Sequence, residues 1–149
     1  MGRRSSRQPL DRPALSRLAG ERLLLRRPCP GDTLQVYQYA ADPLASRFLS
    51  WAPHRGEEET RQFLDGCIEA WHEAQGEGRL PWVIEVDAKL VGMIEAKLKG
   101  RNAGIGYVLA PDAWGLGYAS EALGLVSEAL FRHSPVSAIW ALCVTGNPA

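Results

Sequence analysis

The chain has 149 residues, 46% of them hydrophobic, which fits one globular domain with a sizeable core. Its 17 basic and 17 acidic residues cancel, so no overall charge attracts nucleic acid or an anionic membrane. No apolar stretch is long enough to span a bilayer and no signal-peptide core is evident, which makes the cytoplasm the expected compartment.

The N-terminal segment is rich in arginine. Between residues 1 and 27, eight arginines are accompanied by only two acidic residues, Asp11 and Glu21. Such a segment is compatible with a nucleic-acid arm or an organellar transit peptide. Its Arg, Ser and Pro content without sustained periodicity favours a flexible leader over residues 1–20, followed by the domain at 21–149.

The first predicted elements are a strand and two helices. The apolar run 21–27 predicts a strand, and Asp32 is placed to cap a helix that Asp42-Pro43 ends. A second helix is predicted from Glu57, because three consecutive glutamates favour a helix N-terminus. Its apolar residues recur at helical spacing: Phe63, Leu64, Cys67, Ile68, Trp71 and Ala74.

An antiparallel meander is predicted next, with strands at 82–86, 90–98 and 103–109 joined by tight turns. The order then changes, because a helix beginning near Gly117 precedes a last strand at 136–144. A strand, a helix and a strand in that order predict a parallel pair with a crossover connection. The expected fold class is therefore α/β with a mixed sheet.

Cysteine and histidine positions give no metal signal. The three cysteines are far apart and make no C-x-x-C pair, and the three histidines do not cluster. We therefore expect neither a zinc site nor a disulfide framework. Cys67 lies in an apolar run and is expected to be a buried small hydrophobe.

The strongest signal for a site is the loop between strand 103–109 and the following helix. Gly115 and Gly117 carry no side chain, so their backbone N–H groups can approach a ligand closely. The helix adds its unpaired first N–H groups and the positive end of its dipole, which together suit a phosphate or pyrophosphate. Two glycines also simply permit a sharp turn, and by themselves they do not decide between these interpretations.

Around this loop the sequence resembles the GNAT superfamily of acetyl-coenzyme A-dependent N-acetyltransferases. Within it, the sequence is most similar to the Rim-type branch of ribosomal-protein alanine acetyltransferases, from about residue 21 to residue 149. The most specific similarity lies in 106–111 and 114–122, which match the branch's strand, pyrophosphate loop and helix. The segments 51–61 and 140–149 also resemble this branch.

The resemblance implies a GNAT-like fold, with an antiparallel meander, a parallel splayed strand pair and helices on both faces of the sheet. It also implies acetyl-coenzyme A as co-substrate, with its pyrophosphate on the glycine-loop amides and its pantetheine arm between the splayed strands. The residues thereby implied in coenzyme binding are Val108, Leu109, Trp114, Gly115, Leu116, Gly117, Tyr118, Ala119 and Asn147.

The chemistry implied by the resemblance is direct attack of an amine on the thioester. This needs a base for the amine, a polarised carbonyl oxygen and a proton for the departing thiolate. Gly104 stands where the branch often has Glu, so Glu95 becomes the candidate base, with Glu85 the other nearby strand acid. A solvated strand face explains both acids equally well. Asn147 is the second candidate catalytic residue.

The acceptor and the chain end are the least determined features. His54 and Trp51 are the candidate contacts to an amine acceptor. In the family, an Asn-x-x-Ser sequence opens another helix, which two more strands follow. Here the chain has Asn147 and ends two residues later, so the last helix and strands are expected to be missing. The isolated chain is then expected to have weak or no activity unless a partner supplies those strands.

The function that the resemblance implies is transfer of acetyl to a primary amine, favouring a protein or peptide N-terminus. An antibiotic-type small-molecule amine and a non-catalytic coenzyme A-binding remnant are the alternatives. The expected partners are acetyl-coenzyme A and the amine acceptor, with a homodimer left open. No nucleic acid, membrane or metal is expected to take part.

Overall fold

The computed structural model describes residues 9–47, 51–73 and 78–141. Its helices are α1 (Arg12–Leu15), α2 (Thr33–Ala40), α3 (Pro43–Ser46), α4 (Glu57–Ala70) and α5 (Tyr118–His133). Its strands are β1 (Arg17–Ala19), β2 (Leu24–Arg26), β3 (Gly78–Val86), β4 (Lys89–Lys99), β5 (Asn102–Leu109) and β6 (Ala138–Ala141).

One mixed sheet contains these six strands in their chain order. Neighbouring strands from β1 to β5 are antiparallel, whereas β5 and β6 are parallel. Helix α5 makes the crossover between the parallel strands, which a two-residue turn could not do. The predicted meander, the parallel pair and the α/β fold class are confirmed.

Helices cover both faces of the sheet. Val126 and Leu130 of α5 are fully buried in the core cluster on one face. Val36 of α2 and Leu64 of α4 are buried in a second cluster on the other face. Cys67 of α4 is 1% exposed and belongs to this second cluster, which confirms that it is a buried hydrophobe.

The N-terminal segment differs from the expected flexible leader, because residues 9–20 pack into the domain. Leu15 is fully buried, and its carbonyl accepts the indole N–H of Trp82 at 2.7 Å. Asp11 accepts the N–H of Ala14, and the N–H of Asp11 donates to the carbonyl of His133 at 2.8 Å. The sequence did not reveal this because α1 is one turn long and cannot show helical periodicity. Residues 1–8 lie outside the described residues.

Asp32 precedes α2 as expected, but its carboxylate does not cap that helix. It accepts hydrogen bonds from the Arg26 guanidinium at 2.8 Å and from the Cys29 N–H at 2.8 Å. Burial alone would raise the pKa of Asp32, but these hydrogen bonds and the Arg26 charge hold it below 3.8. The prediction of a side-chain cap is thus wrong, because a nearby guanidinium competes for the carboxylate.

Candidate coenzyme and acceptor site

The glycine loop leaves β5 and turns sharply into α5. The indole N–H of Trp114 donates to the carbonyl of Leu109 at 3.0 Å, which ties the loop to the end of the strand. Gly115 and Gly117 have φ angles of 75° and 81°. Most residues with a side chain avoid this left-handed region, so the path of the loop requires glycine.

The backbone of this loop offers several hydrogen-bond donors. In the part of the chain that the structure describes, the N–H groups of Gly115, Leu116 and Gly117 have no acceptor. The first backward hydrogen bond of α5 runs from the N–H of Glu121 to the carbonyl of Gly117 at 3.1 Å. These donors stand at the positive end of a 16-residue helix, where an anion is stabilised.

A side chain from the far N-terminal part of the chain also touches the loop. Arg22 donates to the carbonyl of Leu116 at 2.7 Å and to the Glu121 carboxylate at 2.7 Å. Its guanidinium lies over the ring of Tyr118, 4.8 Å from the centroid. Arg22 was not predicted from the sequence, because no local pattern links a residue before β2 to a loop 94 positions away.

The parallel strands explain why no carboxylate stands at residue 104. Gly104 pairs directly with Trp140, and a Cβ on Gly104 would lie 2.5 Å from the indole ring. A side chain at this position would therefore displace Trp140. At Gly106, by contrast, a Cβ would meet no atom within 4 Å, so the face of β5 is open there. Any splay beyond Ala141 involves residues outside the described ones.

Glu95 lies directly opposite Gly106 in the register of β4 and β5. Its carboxylate accepts a hydrogen bond from Arg79 at 3.2 Å, and its side chain is 29% exposed. The same arginine nitrogen lies 4.0 Å from the Cys67 sulfur, which puts Glu95 on the α4 face of the sheet. Glu85 instead contacts Arg26 at 3.4 Å, at the β2 side of β3. The fold therefore brings Glu95, and not Glu85, to the open part of β5.

His54 and Trp51 lie on this same face of the sheet. Trp51 packs against the core cluster shared by α2 and α4, as does Val108 of β5. The His54 ring lies 5.4 Å from the Trp51 ring, and its Nδ1 is 2.7 Å from the Thr60 hydroxyl oxygen. Phe63 is 41% exposed and contacts His54 edge-on at 5.7 Å, although it was expected only as part of a helix face. These three rings form an aromatic cluster on the α2 and α4 face of the sheet.

His54 is expected to remain neutral at a lower pH than a solvated histidine. Burial lowers its pKa below 6.5, against a weaker opposing effect of Glu59. As the pH falls, the unfolded chain binds this proton before the folded protein does. The contribution of neutral His54 to the free energy of unfolding is therefore fully present above pH 6.5 and decreases as the pH falls below 6.5. Titrating its imidazole protons by NMR should give a midpoint below 6.5, and a midpoint at or above 6.5 would contradict the described packing.

Asn147, the remaining candidate, lies outside the described residues. Among the described residues, no group of three or more His, Cys, Asp or Glu side chains could hold a metal ion. None of the helices in these ranges combines the length and the apolar composition that a membrane-spanning segment needs.

Comparison with known proteins matches residues 22–149 to a family model described as "Acetyltransferase (GNAT) domain". No curated protein sequence matches the chain. Among solved structures, a GNAT-family acetyltransferase from Bacillus anthracis superposes with a TM-score of 0.76 at 25% identity. That superposition covers 88% of this chain and 75% of the other.

Two further structures are similar in fold. A ribosomal-protein alpha-N-acetyltransferase, RimL, in complex with coenzyme A has a TM-score of 0.76 at 21% identity, over 88% of this chain and 76% of its own. A microcin self-immunity acetyltransferase, MccE, in complex with acetyl-CoA and AMP has a TM-score of 0.72 at 16% identity, over 85% and 72%. At these identities the likeness concerns the fold alone.

Proposed function

The chain belongs to the GNAT family of acetyltransferases, and we propose that it moves acetyl from acetyl-coenzyme A to the amine at a protein or peptide N-terminus. The observation that carries the coenzyme half of this proposal is the glycine loop. Its N–H groups have no acceptor among the described residues and stand at the start of α5. A diphosphate supplies the negative oxygens that such donors stabilise.

We propose the loop residues 114–119 as the diphosphate contacts, acting mainly through their backbone. Leu109 is 2% exposed, so its side chain belongs to the core and only its backbone can meet the coenzyme. Val108 is half-buried on the α4 face and is proposed to border the pantetheine arm. Asn147 stays a proposal for the thiol end of the coenzyme.

The acceptor is proposed to lie over the open face of β5. In support, Glu95 lies opposite Gly106 in the sheet register, and Trp51, with the His54 ring 5.4 Å away, packs against the same core cluster as Val108 of β5. The aromatic rings offer apolar contact to the first side chain of a peptide, and Glu95 offers a carboxylate to its ammonium. The described contacts place no large side chain at Gly106, which leaves room for an extended peptide end.

The reaction forms one N–C bond and breaks one C–S bond. The neutral amine attacks the thioester carbon, the amine proton passes to a base, and the coenzyme leaves as a thiolate that takes up a proton. Glu95 is proposed to accept the amine proton, directly or through one water. Arg79 holds its carboxylate in place.

Replacing Glu95 with Gln is expected to lower kcat about a hundredfold, the lower end of typical general-base effects, while coenzyme affinity stays unchanged. Glu85→Gln is the matched control, since Glu85 is also a half-buried strand acid paired with an arginine. Steady-state kinetics on both variants would test this. Equal kcat values for Glu95→Gln and the control would remove Glu95 from the mechanism.

The acceptor class can be tested by mass spectrometry after incubation with acetyl-coenzyme A. The panel would contain peptides with free or blocked N-termini and, separately, small aminated antibiotics and aminonucleotides. We expect a 42 Da gain on free N-termini alone, this being the mass of an acetyl group in place of hydrogen. Modification restricted to small amines would favour the alternative suggested by the microcin self-immunity enzyme. Binding of the coenzyme without any transfer would favour a non-catalytic remnant. A cytoplasmic location is part of the proposal.

A further inference from the structure

Arg22, which precedes β2 in the chain, contacts both the glycine loop and the first turn of α5. Its backbone N–H and its Nε both donate to the Glu121 carboxylate, at 2.9 and 2.7 Å. Its Nη1 donates to the Leu116 carbonyl at 2.7 Å, while its flat face covers Tyr118. The guanidinium group is thus held by hydrogen bonds to Glu121 and Leu116 and by its contact with the Tyr118 ring.

The hydrogen bond to Leu116 has a geometric consequence for the next residue. The Leu116 carbonyl and the Gly117 N–H belong to one planar peptide unit, and the described chain contains no cis peptide bond. In a trans peptide these two groups point in opposite directions. By holding the carbonyl on its own side, Arg22 therefore aims the Gly117 N–H toward the opposite side of the loop.

Arg22 also changes the charge at the start of α5. Glu121 lies in the first turn of this helix, where its carboxylate would oppose a bound diphosphate. The ion pair with Arg22 places a positive charge 2.7 Å from that carboxylate. The pair therefore leaves the positive end of the helix available to an external anion.

We propose that Arg22 is a positioning residue for the diphosphate of the coenzyme: it orients the Gly117 amide and neutralises Glu121 without itself touching the phosphates. This role rests on the proposed function, because it presupposes that the loop binds the coenzyme. Through Arg22, the segment before β2 would contribute to binding of the acetyl donor, a role that its sequence does not predict.

The test compares acetyl-coenzyme A with S-acetylpantetheine, which keeps the thioester and lacks the diphosphate. Arg22→Ala is expected to raise the Kd for acetyl-coenzyme A about tenfold, as lost charge-assisted hydrogen bonds typically do. Its kcat/KM with acetylpantetheine should equal that of the wild type, since that donor does not use the loop amides. A general loss of structure would instead reduce the use of both donors.

Arg22→Lys separates positioning from simple charge. One ammonium cannot reproduce the fork on Glu121 and Leu116 together, so this variant should lose most of the affinity that Arg22→Ala loses. Wild-type affinity in Arg22→Lys would overturn the proposal, as would unchanged affinity in Arg22→Ala. The proposal would also be overturned if Arg22→Ala impaired the use of acetyl-coenzyme A and of acetylpantetheine equally.

Arg132→Ala is the matched control, because Arg132 pairs with Glu128 at 3.1 Å on the same helix, far along α5 from the loop. It should bind acetyl-coenzyme A as the wild type does, and a loss equal to that of Arg22→Ala would contradict a role specific to the loop. A wild-type chain that fails to bind acetyl-coenzyme A would overturn the proposed function itself, which distinguishes that failure from failure of the role of Arg22.

Discussion

Replacing Gly115 with Asp is expected to weaken acetyl-coenzyme A binding about tenfold or more relative to Gly115→Asn. A carboxylate roughly 5 Å from a phosphate costs about 1 to 3 kcal/mol, depending on how strongly water screens the pair. Asn and Asp tolerate positive φ better than other residues with a side chain, and a Cβ at Gly115 meets no atom within 4 Å. Both variants should therefore fold alike and differ mainly in charge.

Calorimetric titration of the two variants measures this difference. Gly115 suits the test better than Gly117, because a Cβ on Gly117 would lie 3.1 Å from Arg22, which would partly neutralise an added carboxylate. Equal Kd values for Gly115→Asp and Gly115→Asn would mean that no anion binds at this loop. Raising the salt concentration should reduce the difference in Kd between the two variants, because salt screens the repulsion between the carboxylate and the phosphate.

Leu15→Ala is expected to lower the free energy of unfolding by about 2 to 5 kcal/mol, the usual range for a buried leucine. Leu15 is completely buried, and its backbone carbonyl accepts the Trp82 indole hydrogen bond. The loss is large because the change leaves a cavity between the short helix α1 and the sheet. Urea or thermal unfolding followed by circular dichroism would measure it.

Leu34→Ala is the matched control, since Leu34 is 55% exposed on α2. The free energy of unfolding of this variant should differ from that of the wild type by only about 0.5 kcal/mol or less, as for most surface substitutions. If Leu15→Ala were as mild as Leu34→Ala, residues 12–15 would not be part of the core. The result thus decides between a packed N-terminal segment and the flexible leader that the composition favoured.

Long elements with strong periodicity were predictable from the sequence. Helices α4 and α5 each span several turns, so their apolar residues repeat often enough to reveal a buried face. The meander was predictable because tight turns separate alternating or apolar runs. By contrast, α1 and β1 contain four and three residues, which is too few for a period to appear. Tertiary contacts show that they belong to the domain, among them the hydrogen bond from Trp82 to the Leu15 carbonyl and the pairing of β1 with β2.

The candidate site likewise combines features that the sequence predicts with features that only the structure shows. The glycine loop was predictable, because two glycines before a long helix are a local pattern with a physical meaning. Arg22 was not predictable, since its contacts with Leu116 and Glu121 exist only once the segment before β2 lies beside the start of α5. The sequence shows that residue 104 carries no carboxylate. It does not show the steric reason, which depends on Trp140 from the neighbouring strand.

Calorimetric titration of the wild-type chain would show whether the loop between β5 and α5 binds acetyl-coenzyme A. We predict saturable binding of one coenzyme per chain, strong competition by coenzyme A and weak competition by pantetheine, which lacks the diphosphate. Absence of binding at millimolar acetyl-coenzyme A, or equal competition by pantetheine and coenzyme A, would contradict coenzyme binding at this loop.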